Sequence, residues 1–425
     1  MLAENAGLAI GIFVIVYAII VSEKIHRTKI ALLGAIVVIL FNIMPQEEAI
    51  SKIDFNTLGL LIGMMVIVAI TRQTGLFQYL AIKAAKKVKG NPVKIMIVFF
   101  WLTAIASAFL DNVTTVLLLT SITFAITDVL GISPIPFLVS EIIASNIGGT
   151  GTLIGDPPNI MIGGATGLGF NDFIINLTIP VVGVGIVTSW LFYLIYKKDL
   201  VVTKETQNKI MSLDEQAFIT NQILLRKSLA VLAAVIIGFV LHQAFHYESA
   251  TVAMGGAALL LLISGIEPEE IFHEVEWNTI FFFIGLFILV GGLEVTGVIK
   301  MIAQWALDVT RGNMVLMNFL VLWLSAFASA FIDNIPFVAT MIPLIKSMAE
   351  LGHMDVTSLW WTLSLGACLG GNGTIIGASA NVVVSSIAAA HGRPISFKYY
   401  FKIAFPLMIV SILISNIYIY LAYLR

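Results

Sequence analysis

The stretch GGTGTLIGDPPN at residues 148–159 decides the fold of this chain, because it returns as GGNGTIIGASAN at residues 370–381. The same offset of 222 positions relates SAFLDN at residues 107–112 to SAFIDN at residues 329–334. Composition bias accounts for matched leucines, but not for a matched Asp-Asn pair and six matched small or polar positions at one offset. The chain therefore contains an internal repeat.

The composition places the chain in a membrane. Of its 425 residues 59 % are hydrophobic and only 11 % are charged, and the mean hydropathy is +1.00. Soluble domains carry about 25 % charged residues. We therefore expect an integral membrane protein in contact with the lipid bilayer, and we exclude soluble enzymes, secreted disulfide scaffolds, coiled coils and nucleic-acid binders. The single cysteine, Cys368, cannot form an internal disulfide.

Apolar runs near the length of about 20 residues that crosses a bilayer occur six times in each half. They predict a first transmembrane repeat in residues 1–199, a cytoplasmic linker in residues 200–226 and a second repeat in residues 227–425. Residues 78–94 carry five lysines and predict an amphipathic helix on the membrane surface. The apolar runs are 6–22, 30–44, 58–70, 95–125, 135–165 and 173–196, then 229–244, 250–263, 280–295, 315–345, 359–390 and 403–423.

Two of the runs in each half are long and interrupted by polar or glycine-rich sequence. Irregular backbone is not tolerated in lipid, so each interruption must face protein or a water-filled cavity. We interpret residues 95–125 as a re-entrant helix hairpin that enters and leaves on one side, and residues 135–165 as one discontinuous helix. Each half then crosses five times, and an odd number predicts two inverted-topology repeats in an all-α polytopic membrane protein.

The basic residues predict the orientation. With five crossings per half, 18 of the 23 lysines and arginines fall on one face and five on the other. Parallel halves would give 15 and 8. The positive-inside rule therefore predicts a cytoplasmic linker, both termini outside the cytoplasm, and a multi-pass protein of the cell (plasma or inner) membrane.

Asp111 and Asp333 occupy matched positions inside long apolar runs. A charged group there costs about 2.5–3.5 kcal/mol even on the mildest scales, so it is a functional hypothesis by default. The alternative is a carboxylate that caps the N-terminus of a half-helix, which does not exclude a function.

The glycine-rich interruptions allow backbone carbonyls to point inward, and half-helix ends offer partial charges to ions. The alternative for glycine in a membrane helix is close packing, which we prefer for Gly63 and Gly285. Four neutral side chains add oxygen ligands suited to a hard cation: Thr152, Thr374, Asn159 and Asn381.

The remaining ionisable residues are less decisive. Glu141 begins the first discontinuous segment and is either a proton-coupling group or an interfacial residue. Asp156 lies in the interruption, where we expect it to line the cavity. The predicted core segments contain no arginine, so we expect nothing to clamp a carboxylate or phosphate substrate.

The strings FLDNVTTVLLLT at residues 109–120 and EIIASNIGGTGTLIGDPPNIMIG at residues 141–163 resemble the ion transporter superfamily. The closest branch contains sodium/proton antiporters, arsenite permeases and the P protein. The resemblance implies inverted repeats, one hairpin per repeat, a substrate site between hairpin tips and discontinuous helices, and a homodimer. The substrate- or ion-binding residues that we predict are Asp111, Asn112, Thr114, Thr115, Asn146, Gly149, Thr152, Asp156, Asn159, Asp333, Asn334, Gly371, Asn372, Thr374 and Asn381.

These features predict a secondary active transporter that works by alternating access and exchanges Na⁺ for H⁺, without a cofactor. Burial raises the pKa of a carboxyl and a nearby cation lowers it, so one carboxylate is neutralised by a proton or by Na⁺. We expect Na⁺ at Asp111, Asn112, Asp333 and Asn334. Two alternatives stay open: proton-coupled arsenite efflux, for which alone a partner ATPase is conceivable, and Na⁺-coupled anion transport. We find no constellation typical of an enzyme.

Overall fold

The computed structural model describes residues 2–22 and 24–425, and every regular element in these residues is helical. The predicted interruptions are present, because one helix ends at Phe109 before another begins at Asn112, and a second break separates Thr150 from Pro157. The helices of the first repeat are α1 (Leu2–Ser22), α2 (Arg27–Leu40), α3 (Gln46–Ser51), α4 (Phe55–Arg72), α5 (Leu76–Lys87), α6 (Pro92–Phe109), α7 (Asn112–Leu130), α8 (Ile135–Thr150), α9 (Pro157–Thr166) and α10 (Phe170–Tyr196).

The second repeat has the same order of helices, displaced by about 222 residues. Helix α11 (Lys204–Met211) lies between the repeats. The helices of the second repeat are α12 (Gln222–Leu241), α13 (Ser249–Ser264), α14 (Pro268–Phe272), α15 (Trp277–Val295), α16 (Val298–Thr310), α17 (Met314–Phe331), α18 (Asn334–Gly352), α19 (Thr357–Gly370), α20 (Ser379–Ala390) and α21 (Phe397–Tyr423).

The helices form an all-α polytopic membrane protein with inverted repeats. In each repeat a helix hairpin (α6 with α7, α17 with α18) packs beside a discontinuous helix (α8 with α9, α19 with α20). In the described part of the chain, ten helices are long and apolar enough to cross a membrane by length and composition. The ten are α1, α4, α6, α7, α10, α12, α15, α17, α18 and α21.

The contacts between the two repeats occur in symmetry-related pairs. Helix α2 packs on α15, and its counterpart α13 packs on α4, the counterpart of α15. Gly63 of α4 lies against Ala253 of α13, and Gly285 of α15 lies against Ala31 of α2 in the same way. Paired exchange of this kind is the signature of a two-fold relation, and it matches the close-packing role that we expected for both glycines.

A larger side chain at Gly63 is expected to destabilise the protein. A Cβ atom there would lie 2.6 Å from the carbonyl carbon of Ala253, so Gly63→Leu must separate α4 from α13. Overpacking of this kind costs about 1–3 kcal/mol, and thermal unfolding in detergent measures it. Gly183→Leu is the control, because a Cβ atom at Gly183 has open space around it. Equal melting temperatures for the two variants would contradict this account of the α4–α13 contact.

Two ion pairs between the repeats are related by the same symmetry. Lys52 pairs with Glu294 at 3.1 Å, and Arg72 pairs with Glu274 at 3.0 Å. Glu274 stands 222 positions after Lys52, and Glu294 stands 222 positions after Arg72. The two pairs therefore occupy equivalent places, and both bases belong to the first repeat.

The loop between the repeats is folded against α5. Lys86 donates to the carbonyl of Leu213 at 2.8 Å and pairs with Glu215, whose pKa it holds below the ordinary value. The backbone N–H of Thr220 donates to the carbonyl of Thr74 at 3.2 Å, and Ile210 of α11 is fully buried. Helix α5 is shorter than the surface helix predicted at residues 78–94, because Asn91 caps the next helix, α6.

Candidate ion-binding site

The two hairpin tips begin with the matched aspartates, and both aspartates cap helices. Asp111 accepts a hydrogen bond from the backbone N–H of Thr114 at 2.8 Å, at the start of α7. Asp333 accepts one from the backbone N–H of Ile335 at 3.1 Å, at the start of α18. Capping satisfies backbone donors that a half-helix leaves free inside the protein. The capping alternative is therefore correct as geometry, and it fixes where each carboxylate lies.

The asparagines that follow these caps meet at one carboxylate. The side-chain amide of Asn112 lies 3.4 Å from Oδ1 of Asp156, and that of Asn334 lies 3.4 Å from the same oxygen. Asp156 is fully buried in the interruption between α8 and α9. Its equivalent in the second repeat is Ala378. The two tips, 222 residues apart, thus share an acidic group that only the first repeat supplies.

Asn146 connects the two discontinuous helices. Its side-chain amide donates to Oδ1 of Asn372 at 2.9 Å and to Oδ1 of Asn381 at 3.0 Å. Its own Oδ1 accepts from Asn112 at 3.1 Å. All four asparagines are buried. A satisfied network of buried amides is rigid, so it holds both breaks in one arrangement around Asp156.

Four polar side chains of the breaks donate hydrogen bonds to backbone carbonyls. Thr152 donates to the carbonyl of Ala108 at the first tip, and Thr374 donates to that of Ala330 at the second. The amide groups of Asn159 and Asn381 donate to the carbonyls of Thr152 and Thr374, each at 2.8 Å. The hydrogens of these four side chains therefore hold the breaks in shape and attach them to the hairpins.

The two predicted glycines allow close backbone approach within the breaks. A Cβ atom on Gly149 would lie 2.6 Å from the carbonyl oxygen of Gly155, and one on Gly371 would lie 3.1 Å from that of Gly377. A side chain at Gly149 would push the two arms of the break apart. The position therefore requires glycine for its space and not for its backbone angles.

Three other predicted residues lie along α7 and α8. Thr114 is partly exposed and lines a cavity of about 310 Å³ that also contains Arg72 and Glu276. Thr115 is buried, and its hydroxyl has no hydrogen-bond partner among the described residues. Glu141 is fully buried and accepts from Thr123. The structure does not place Glu141 among the residues that line the cavity between the tips.

A small cavity of about 20 Å³ lies between the tips. A space of this size holds about one water-sized particle. No group of three His, Cys, Asp or Glu side chains in the described residues is close enough together to hold a metal ion, so a cation bound here would also need amide or carbonyl oxygens. The polar residues that line the cavity are Arg27, Asp111, Asn112, Asp156, Glu276, Thr279, Asn334 and Ser379.

Four of these polar residues are absent from the predicted site: Arg27, Glu276, Thr279 and Ser379. Glu276 precedes α15 and accepts from Thr279 at 3.0 Å. Its signal was available in the repeat, because its equivalent is Asp54, which caps α4. Arg27 is one of the 18 basic residues that the positive-inside rule assigns to the cytoplasmic face.

The predicted core segments contain no arginine, but Arg27, which lies outside them, reaches the site. The guanidinium of Arg27 pairs with Asp333 and donates to the hydroxyl of Ser379 at 3.0 Å. It also lies over the ring of Phe282 at 4.9 Å from the centroid, a favourable cation–π position. Arg27 stands at the first position of α2, and the packing of α2 on α15 brings it to the hairpin tip of the other repeat.

Two larger cavities are also present among the described residues. A space of about 350 Å³ opens beside Arg27 and Asp333, at the beginning of α2. A second space of about 480 Å³ lies beyond the other end of α2, beside Asp54, Lys300 and Lys346. The cavity of about 350 Å³ shares Arg27 and Ser379 with the small cavity, whereas the cavity of about 480 Å³ shares no lining residue with it.

Comparison with known proteins gives concordant results. The sequence pattern of the CitMHS family, described as a citrate transporter, matches residues 17–366. An uncharacterized transporter of Mycobacterium tuberculosis is 43 % identical over 421 residues, with 98 % of each chain covered. The 46 kDa membrane protein of Mycobacterium leprae is 42 % identical over 425 residues, with 98 % of this chain and 99 % of that protein covered. The human P protein is 34 % identical over 501 residues, with 98 % of this chain but 60 % of that protein covered.

Two solved structures share the fold. The YdaH transporter of Alcanivorax borkumensis, described as having an unusual topology, gives a TM-score of 0.60 at 13 % identity, over 91 % of this chain and 89 % of that one. MtrF of Neisseria gonorrhoeae, described as representing a class of antimetabolite efflux pumps, gives 0.62 at 10 % identity, over 90 % and 83 %. The inverted-repeat fold and the family match together show that this chain is a secondary membrane transporter that belongs to the CitMHS family of the ion transporter superfamily, on the branch that includes the P protein.

Proposed function

We propose that this transporter exchanges Na⁺ for H⁺ across the membrane. The observation that carries the proposal is the cavity of about 20 Å³ between the hairpin tips, with Asp111, Asp156 and Glu276 in its wall and one arginine beside them. Its size suits one dehydrated ion or one water. Its excess of carboxylates over basic groups favours a cation over an anion.

The chemistry follows from competition for the carboxylates. A carboxylate away from water is stabilised either by a proton or by a cation close to its oxygens. Na⁺ is a hard cation and accepts carboxylate, amide and carbonyl oxygens as ligands, and the wall of the cavity contains Asp111 together with Asn112 and Asn334 of the hairpin tips. Exposure of this cavity to each side in turn then couples the inward flow of one ion to the outward flow of the other.

The test is ion flux in proteoliposomes that contain a pH-sensitive dye. We expect a Na⁺ or Li⁺ gradient to drive proton movement in vesicles that contain the purified protein and not in empty vesicles. Proton movement that does not depend on Na⁺ or Li⁺, with arsenite uptake in the same vesicles, would replace this proposal with arsenite efflux.

Na⁺-coupled anion transport is the second candidate, and Arg27 is the observation that favours it. Its guanidinium borders the cavity of about 350 Å³, which is large enough for a small carboxylate, and the family description names citrate. However, the same guanidinium already pairs with Asp333. Na⁺-dependent uptake of labelled citrate, without exchange of Na⁺ for H⁺, would favour this candidate.

We also propose that the loop between the repeats faces the cytoplasm of the cell. A cysteine at exposed Glu205 is expected to resist an impermeant thiol reagent in intact cells and to react after lysis, in a Cys368→Ser background. Glu350→Cys is the matched variant, because this exposed position lies in the cavity beyond the far end of α2; it is expected to react in intact cells. The reverse pattern would overturn the orientation.

A further inference from the structure

We infer that Arg27 is a tethered counter-ion that occupies the cation position of the Asp333 tip, so that the transported cation binds at the Asp111 tip alone. The inference rests on the proposed cation exchange and deepens it. It makes the two aspartates unequal, although the repeat places them at equivalent positions.

The surroundings of Asp333 are complete without an added ion. The carboxylate pairs with Arg27, accepts from the hydroxyl of Ser379 at 3.0 Å and accepts from the backbone N–H of Ile335 at 3.1 Å. Arg27 is itself held by Ser379 and by the face of the Phe282 ring. Its side chain is only 24 % exposed. A guanidinium with three such partners has a fixed position.

The surroundings of Asp111 lack each of these partners. Subtraction or addition of 222 takes Arg27 to Ser249, Ser379 to Pro157 and Phe282 to Leu60. At the positions equivalent to Arg27, Ser379 and Phe282, the first repeat therefore has a neutral side chain, a proline without a hydroxyl and an aliphatic side chain. Among the described residues, no basic side chain forms an ion pair with Asp111.

The positions of the two cavities agree with this difference between Asp111 and Asp333. Asp111 lines the space of about 20 Å³, whereas Asp333 lines the larger space next to it, and Arg27 borders both. The carboxylate of the second tip is already paired with Arg27, whereas that of the first tip faces the small cavity without an ion-pair partner among the described residues. The tips therefore supply one carboxylate for cargo and one for Arg27, which fixes one cargo cation at the tips in each cycle.

The first test removes the partner of Arg27. In Asp333→Asn the freed guanidinium remains beside the cavity and competes with Na⁺ for Asp111. The KM for Na⁺ is expected to rise about tenfold or more. A positive charge beside a carboxylate lowers its affinity for a proton by about one to three powers of ten, and we expect it to weaken the binding of Na⁺ in the same way. In the double variant Arg27→Gln with Asp333→Asn the competitor is absent, and the KM is expected to fall back toward the wild-type value.

Lys86→Gln is the matched control, because Lys86 has the same 24 % side-chain exposure and forms an ion pair with Glu215, and neither residue lines the cavity between the tips. We expect no change in its KM for Na⁺. A measurement without transport accompanies each variant: thermal unfolding in detergent, with NaCl compared with choline chloride. A ligand that binds the folded state raises the melting temperature, so this measurement reports Na⁺ binding and folding together.

The outcomes separate the inference from the proposed function. A wild-type protein without Na⁺-dependent proton movement would reject the proposed exchange. If the wild type exchanges ions but the folded double variant neither transports nor gains stability from NaCl, Asp333 is itself a cargo ligand and the inference is wrong. An unchanged KM in folded Asp333→Asn would also overturn it.

Discussion

Replacing Asp111 with asparagine is expected to abolish Na⁺-driven proton movement in proteoliposomes. The amide keeps the size of the side chain and can still accept the hydrogen bond from Thr114, so the start of α7 is retained. It loses the charge and the titrating proton, and both ions lose the carboxylate for which they compete. The dye-based flux assay measures this loss, and size-exclusion chromatography in detergent checks that the variant is folded.

The matched control is Asp128→Asn, which changes an exposed acid in the last turn of the same helix. We expect it to exchange ions at the wild-type rate. Full activity in Asp111→Asn would show that the carboxylate only caps α7. The carboxylate competition would then have to involve Asp156 or Glu276.

The second large effect is expected at Asp156. This carboxylate accepts hydrogen bonds from an asparagine of each hairpin tip, so its charge acts on both tips. Asp156→Asn is expected to stop exchange. Asp156→Ala, which copies the second repeat, is expected in addition to lower stability by about 1–3 kcal/mol, the usual cost of leaving a buried polar group without its partner.

Flux measurements and thermal unfolding together test this prediction. Asp308→Asn, an exposed acid on α16, is the control and should change neither quantity. If Asp156→Ala transports normally, the two tips do not need a shared carboxylate, and the asparagine network alone would hold them together.

Much of the fold was accessible from the sequence because polar residues are rare in it. Asp111 and the glycine-rich run that contains Gly149 interrupt long apolar segments, and both were predicted to break helices. The helices do end at Phe109 and Thr150. The short helix α11 and its attachment to α5 were not predicted, because a polar loop has no hydrophobic period to indicate where it folds back.

The site was predicted less completely, for a reason that lies in tertiary packing. The predicted acids and asparagines stand inside apolar segments, where their cost marks them. Arg27 and Glu276 stand at helix ends among other polar residues, as in the run HRTK at residues 26–29, which is typical of a membrane surface. Only the packing of α2 on α15 shows that Arg27 reaches a carboxylate 306 residues away.

The residue types predicted which polar groups the breaks contain, but not the direction in which those groups point. Thr152 and Asn159 were expected to offer oxygens to a cation, and their hydrogens instead hold the break to the first tip and to itself. A sequence states which groups a segment carries. It does not state whether a hydroxyl turns toward a cavity or toward a carbonyl of its own backbone, because that choice depends on a few ångströms of packing.

The two ion pairs between the repeats have a consequence for how the chain assembles. In a pair of identical first halves packed in this way, Lys52 of one copy would face Arg72 of the other. With bases at both positions in one half and Glu274 with Glu294 in the other, either half would repel a second copy of itself and attract its complement. The charges therefore favour contact of the first half with the second half over contact between two like halves.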